Sequence, residues 1–142
     1  MDIRGACHCG NLRFDLAWPD AAARIPARAC TCTFCRKHGA TWTSHPEARL
    51  HVHIEAPAHI ERYAFGTQTA DFHVCSACGA TPVVTSTIDG AVYAVVSVNA
   101  FDNVGPELLR RGPVSFDGEG TGDRLARRQR HWIAQVVFRD GA

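Results

Sequence analysis

"ACHCGNLRFDLA", residues 6–17, sets two cysteines one residue apart just before a clean alternation of apolar and polar side chains. Residues i and i+2 of an extended chain point to the same side, so Cys7 and Cys9 can bite one metal ion together. From Leu12 to Ala17, Leu, Phe and Leu alternate with Arg, Asp and Ala, the period of a strand with one buried face. A cysteine turn that feeds such a strand points to a β protein organised around metal.

The same alternation, punctuated by Gly, Pro and Asn, dominates the first hundred residues and predicts short antiparallel strands. Strands are expected at 3–7, 12–17, 40–44, 50–55, 60–65, 70–75, 82–86 and 91–99. "IDGA", residues 88–91, reads as a hairpin turn through Asp89 and Gly90. "AWPDAAARIPA" (17–27) reads as a loop, and "GPELLRRGPVSFDGEGTGD" (105–123) as a Gly- and Pro-rich exit from the sheet region. In "DRLARRQRHWIAQVV" (123–137), Leu125, Trp132, Ile133 and Val136 fit one helical stripe, which predicts a short C-terminal amphipathic helix packed on the sheet.

At 142 residues the chain is the size of one domain, and a single domain over 1–142 is expected. Its 46% hydrophobic and 20% charged residues are those of a soluble globular protein. No apolar run approaches a membrane span, and the first residues show no secretory signal, so cytoplasm is the default compartment. A formal net charge of +1 gives no reason to expect long-range attraction to nucleic acid or to anionic membrane.

All seven cysteines fall into three clusters: Cys7 and Cys9; Cys30, Cys32 and Cys35 in "ACTCTFCRKHG"; and Cys75 and Cys78 in "VCSACGA". In a reducing compartment such thiols read as metal ligands or catalytic groups before disulfides. Cys75, Cys78 and Gly79 form a zinc knuckle, and this pair plus Cys7 and Cys9 makes a closed four-thiolate site. The middle cluster then has three ligands, the number that catalytic zinc takes while keeping a corner open for water or substrate. A fourth protein ligand making it structural, or a redox Cys-x-x-Cys, are the alternatives that spacing leaves open. Iron–sulfur ligation is disfavoured, because the spacings match none of the ferredoxin runs.

"GACHCGNLRF", "CTCTFCRKHG", "YAFGT" and "VCSACG" together resemble, in order, the glutathione-dependent formaldehyde-activating enzyme family, which includes centromere protein V-like proteins. The resemblance covers roughly 3–102 and leaves 103–142 as a C-terminal extension. It implies a β-tent fold of stacked small sheets with two zinc ions per chain. It also implies a structural zinc on Cys7, Cys9, Cys75 and Cys78, and a catalytic zinc on Cys30, Cys32 and Cys35. The implied activity is that of a carbon–sulfur lyase joining glutathione and formaldehyde into S-hydroxymethylglutathione. The centromere protein V branch implies a different class, a zinc-stabilised binding module without catalysis for a protein or nucleic-acid partner.

Other residues are tempting. His38, three residues past Cys35, can close the second site or stay an exposed histidine outside it, and the latter is the expectation. His8 lies between two ligands and should point away from their metal. His51 and His53 suggest a metal pair, but Leu50, Val52 and Ile54 form the inward face, which leaves the histidines solvated. Arg36 and Lys37 either offset the charge of the second site or belong to a solvated loop. Residues 65–69, "FGTQT", either line a pocket or simply turn. Arg124, Arg127, Arg128 and Arg130 are expected on a solvated helix face.

Overall fold

The computed structural model describes residues 1–19 and 24–141. In chain order the elements are β1 (Asp2–Ala6), β2 (Leu12–Ala17), β3 (Ile25–Cys30), α1 (Thr33–His38), β4 (Trp42–Thr43), β5 (Arg49–Ile54), β6 (Ile60–Tyr63), β7 (Asp71–Cys75), β8 (Val83–Ile88), β9 (Ala91–Ser97), β10 (Leu109–Val114), α2 (Thr121–His131) and β11 (Gln135–Asp140). The fold is mainly β, as the alternation predicts. The strands form a four-stranded sheet, β1-β2-β5-β11, and a seven-stranded sheet, β10-β3-β4-β9-β8-β7-β6.

Period-two patterning explains how the sheets pack. Leu12, Phe14 and Leu16 of β2, with Leu50, Val52 and Ile54 of β5, turn one face of the small sheet into a fully apolar surface. That face packs with Ile25, Val83, Ala94 and Val96 of the large sheet, and each such large side chain contributes about 2 kcal/mol by leaving water. Val84 and Val95, one residue out of step, point to the opposite face and pack with Cys35, Trp42, Phe72 and Trp132. Covered on both faces, β9 reads as an almost unbroken apolar run, whereas β8 carries Thr85, Ser86 and Thr87 between its apolar ends.

Asp89 at φ 51° and Gly90 at φ 80° form the two-residue β8–β9 turn, the pair of left-handed conformations that a type I′ hairpin requires.

Several sequence expectations change. The loop read at 17–27 falls partly on residues 20–23, outside the described residues, but its end is β3, in which Pro26 and small alanines obscure the alternation. The Gly- and Pro-rich exit contains β10, whose Pro113 is tolerated because β10 is an edge strand. The C-terminal helix stops at His131, and Val136 lies in β11 rather than on a helical stripe. The sheets are not wholly antiparallel, since β10 runs parallel to β3 and β11 parallel to β5. Among the described residues no helix is long and apolar enough to cross a membrane.

Candidate metal centres and the cavity beside them

Cys7 and Cys9 occupy the turn that follows β1, and Cys75 and Cys78 the turn that ends β7, so one group of four thiols draws on both sheets. The two turns are built alike. The Cys7 amide donates to the Leu12 carbonyl at 2.9 Å, and the Cys75 amide to the Ala80 carbonyl at 2.9 Å. Gly10 and Gly79, each at φ +83°, let the chain fold back around the sulfurs at a conformation that a Cβ would strain. All four Sγ atoms lie within 4.8 Å of one another.

The separations show what these thiols can do. Cys7 and Cys9 Sγ are 3.7 Å apart, and Cys9 and Cys75 Sγ are 3.5 Å apart. A disulfide needs about 2.05 Å. The edge of a tetrahedron with zinc–sulfur bonds of about 2.3 Å is about 3.8 Å. The donor set therefore fits a tetrahedral thiophilic cation. The backbone adds polarity, because the Leu12 amide donates to Cys7 Sγ at 3.3 Å.

The middle group is local. Cys30 ends β3, Cys32 caps α1 by accepting from the Cys35 amide at 3.4 Å, and buried Cys35 sits in the helix. Their sulfurs also lie within 4.8 Å of one another, and among the described residues no His, Asp, Glu or further Cys joins the group. Trp42 Nε1 donates to Cys35 Sγ at 3.4 Å. Three thiols and an N–H···S bond fit a thiophilic cation with one position left unfilled by the chain.

Without a cation each group shares its protons unevenly. Hydrogen bonding with Cys35 holds the Cys30 thiol down at about 5. The same bond, with burial, pushes Cys35 far above the ordinary thiol range. At Cys9 the Asn11 amide pulls downward, but the bonds with Cys75, Cys7 and Cys78 and desolvation carry the thiol up to about 11. Burial pushes Cys78 up, but the amides of Ala80 and Cys9 and the thiols of Cys75 and Cys7 outweigh it and bring it to about 6. Crowded thiolates repel, and a bound divalent cation is what lets a whole group ionise.

The three thiols open onto a cavity of about 620 Å³. Its apolar lining comes from Trp42, Phe65, Phe72, Val84, Val95 and Trp132. Arg124, Arg127 and Arg128 of α2 also line it, as do Arg28 of β3, Asp117 and His131. This corrects the solvated-face expectation: only Arg130 is exposed, Arg124 and Arg127 are half-buried, and Arg128 is 6% exposed. Arg128 Nη1 donates to Thr69 O at 3.2 Å, Thr69 Oγ1 at 2.9 Å and Ser86 Oγ at 3.1 Å. Periodicity missed this because the side of α2 facing the sheet, at positions 124, 127, 128 and 131, is polar.

His38 is exposed, stacks on Phe34 at 4.5 Å between centroids and stays outside the middle group. His8 is exposed, as is His51, while His53 Nε2 lies 3.3 Å from Asp15 Oδ2. Arg36 and Lys37 are exposed on α1. Within "FGTQT", Phe65, Gly66 and Thr67 do line the cavity. Sequence reasoning passed over Arg28 and Trp42. The i, i+2 relation of Arg28 to Cys30 was the available signal for the first, and nothing local marks the second.

A crystal structure of a Rhodobacter sphaeroides protein is similar to this chain at 27% identity and a TM-score of 0.52, covering 73% of this chain and 92% of that one. Residues 2–111 match the sequence model described as glutathione-dependent formaldehyde-activating enzyme. With that match spanning most of the chain, and with seven cysteines gathered into a group of four and a group of three, the chain belongs to the glutathione-dependent formaldehyde-activating enzyme family.

Proposed function

We propose that the protein is a zinc-dependent carbon–sulfur lyase acting on thiol adducts of formaldehyde or a related small aldehyde, in the manner of S-hydroxymethylglutathione synthesis. One observation carries the reading: three thiols with no fourth protein ligand among the described residues face a cavity large enough for a small substrate. In this reading Cys7, Cys9, Cys75 and Cys78 hold a structural zinc, and Cys30, Cys32 and Cys35 hold the catalytic one. When bound at the middle group, zinc supplies Lewis acidity and affinity for a further sulfur.

The reaction needs no oxidant. A sulfur–carbon bond forms, the carbonyl π bond becomes a hydroxyl, and the thiol proton ends on that oxygen. The reverse direction breaks the same bond. The chain's part is positioning and exclusion of water. Trp42, Phe72, Val84 and Val95 keep the space beside Cys35 apolar, which strengthens electrostatic interactions there and disfavours hydration of the aldehyde. The Trp42 N–H on Cys35 Sγ draws charge from that sulfur and fixes its orientation.

The test is zinc content per chain, with and without excess glutathione, paired with a proton NMR assay of S-hydroxymethylglutathione formation against the uncatalysed rate. Two zinc ions and a clear acceleration are expected. One zinc, under preparation that protects thiols, would sink the reading. Two zinc ions without acceleration would reject glutathione and formaldehyde as the substrate pair.

A further inference from the structure

Four arginines line the cavity, and most of them are already engaged. Arg127 Nε and Nη2 donate to Glu119 at 3.0 and 3.1 Å, and Arg124 Nε lies 3.7 Å from the same carboxylate. Arg28 differs. It is half-buried, and among the described residues it has no carboxylate partner and its side chain makes one contact, 3.4 Å from Nη1 to Ser44 Oγ. Buried Arg128 also lacks a carboxylate, and its Nε has no hydrogen-bond partner. Among the described residues Asp117 is the acidic side chain that lines the cavity, and it is exposed. The lining thus carries a surplus of positive charge over an otherwise apolar wall.

Position gives the surplus a use. Arg28 and Cys30 are i and i+2 on β3, hence on one face of the strand, with Cα atoms about 6.6 Å apart. Both line the cavity, with the aromatic rings of Trp42 and Phe72 lining it too. Burial, and after it the neighbouring charges of Arg110 and Arg127, lower the Arg28 guanidinium from its ordinary value, and an anion would relieve the second cause.

We propose that the cavity selects a compact, apolar thiol bearing a single carboxylate: sulfur at the Cys30, Cys32 and Cys35 group, hydrocarbon body against the aromatic and valine wall, and carboxylate on Arg28. The proposal rests on the thiol-adduct reading above and narrows it. Glutathione would bring two carboxylates, an ammonium and two amides to a cavity whose guanidiniums other than Arg28 already lie on Glu119, Thr69 and Ser86, so most of those groups would be left unpaired against Trp, Phe and Val, which is costly. A monoanionic aryl or branched-alkyl thiol meets one guanidinium and leaves its remaining surface dry.

The experiment is calorimetric titration of the zinc-loaded protein with four probes: 2-mercapto-3-phenylpropanoate, its methyl ester, 3-phenylpropanoate without the thiol, and glutathione. The mercapto acid should bind at least about tenfold more tightly than both glutathione and the ester, the weight of one charge-assisted hydrogen-bonded contact. Arg28→Gln should cost the acid about the same factor and leave the ester unchanged. The ester comparison uses the wild-type protein and holds if the variant fails to fold. Equal or tighter binding of glutathione, or equal binding of acid and ester, overturns the proposal. Cobalt substitution separates the two levels. If neither thiol perturbs the sulfur-to-cobalt charge-transfer band while 3-phenylpropanoate still binds in an Arg28-dependent way, the thiol-adduct reading falls and selectivity for apolar monoanions stands.

Discussion

Trp42 Nε1 and Cys35 Sγ, 3.4 Å apart and buried, join a strand of the large sheet to the helix that carries Cys35 and is capped by Cys32. A sulfur that accepts an N–H bond is a weaker base and a better-oriented ligand. Trp42→Phe keeps an apolar ring and removes only the donor and some volume. Chelator competition should show the middle group losing about tenfold in zinc affinity while the four-thiol group is unchanged. Loss of both metals together would mean that the bond supports the fold and not the site.

The two thiol groups also differ in what they hold together. Cys9 and Cys75 are 66 residues apart in the chain and come from different sheets, whereas the middle group closes a loop of six residues. A cross-link over a long loop restricts the unfolded chain far more than one over a short loop. Cys75→Ser should therefore lower the melting temperature by more than about 10 °C or abolish folding. Cys32→Ser should shift it by only a few degrees and leave one zinc per chain. Equal losses in thermal scans with metal analysis would remove the distinction between structural and catalytic sites.

Glu119 gives a pH signature with a definite sign. Its bonds from Arg127, then the charges of Arg127, Arg124 and Arg128, hold its carboxyl below the ordinary value of 4.5, and burial offsets this only in part. A carboxyl depressed in the folded state contributes stability that is present above its unfolded pKa and lost as pH falls through the folded one. The advantage of wild type over Glu119→Gln in urea unfolding should be roughly 1 kcal/mol near neutrality and shrink below about pH 4.5. An advantage that grew on acidification would contradict the pairing.

Much of this architecture was readable from the chain because β1, β2 and β5 each have one wet face, and alternation reveals such strands. The cysteine grouping was readable because i, i+2 and knuckle spacings restrict which sulfurs can meet. The strands that escaped had physical reasons to do so. β3 carries Pro26 and alanines too small to register as an apolar face, β10 pairs in parallel at an edge where Pro113 costs nothing, and Val136 of β11 falls three and four residues after Ile133 and Trp132, a spacing that looks helical. The cavity was the hardest part. Its wall comes from sites as distant in sequence as Arg28 and Trp132, and its helical face is built of arginines that composition assigns to solvent.

That helical face is tied to the large sheet through Arg128. Arg128 binds Thr69, in the segment before β7, and Ser86, on β8, through three hydrogen bonds from one nitrogen, and its guanidinium lies 4.9 Å over the Trp132 ring. Ser86 Oγ in turn donates to Thr69 O at 2.7 Å, so the arginine completes a buried polar cluster rather than an ion pair. Removing it takes one donor from the part-buried Thr69 carbonyl and hydroxyl and from the buried Ser86 hydroxyl, which costs about 2 kcal/mol. Arg128→Ala should therefore loosen α2 locally, because β1, β2 and β5 pack through the other core. Hydrogen exchange should accelerate in residues 121–133 far more than in β2 or β5, and affinity for cavity ligands should fall. Arg128→Lys restores a cation without the planar fork that reaches two residues, and it should recover only part of the protection. Uniform acceleration across both sheets would instead make Arg128 a support of the whole fold.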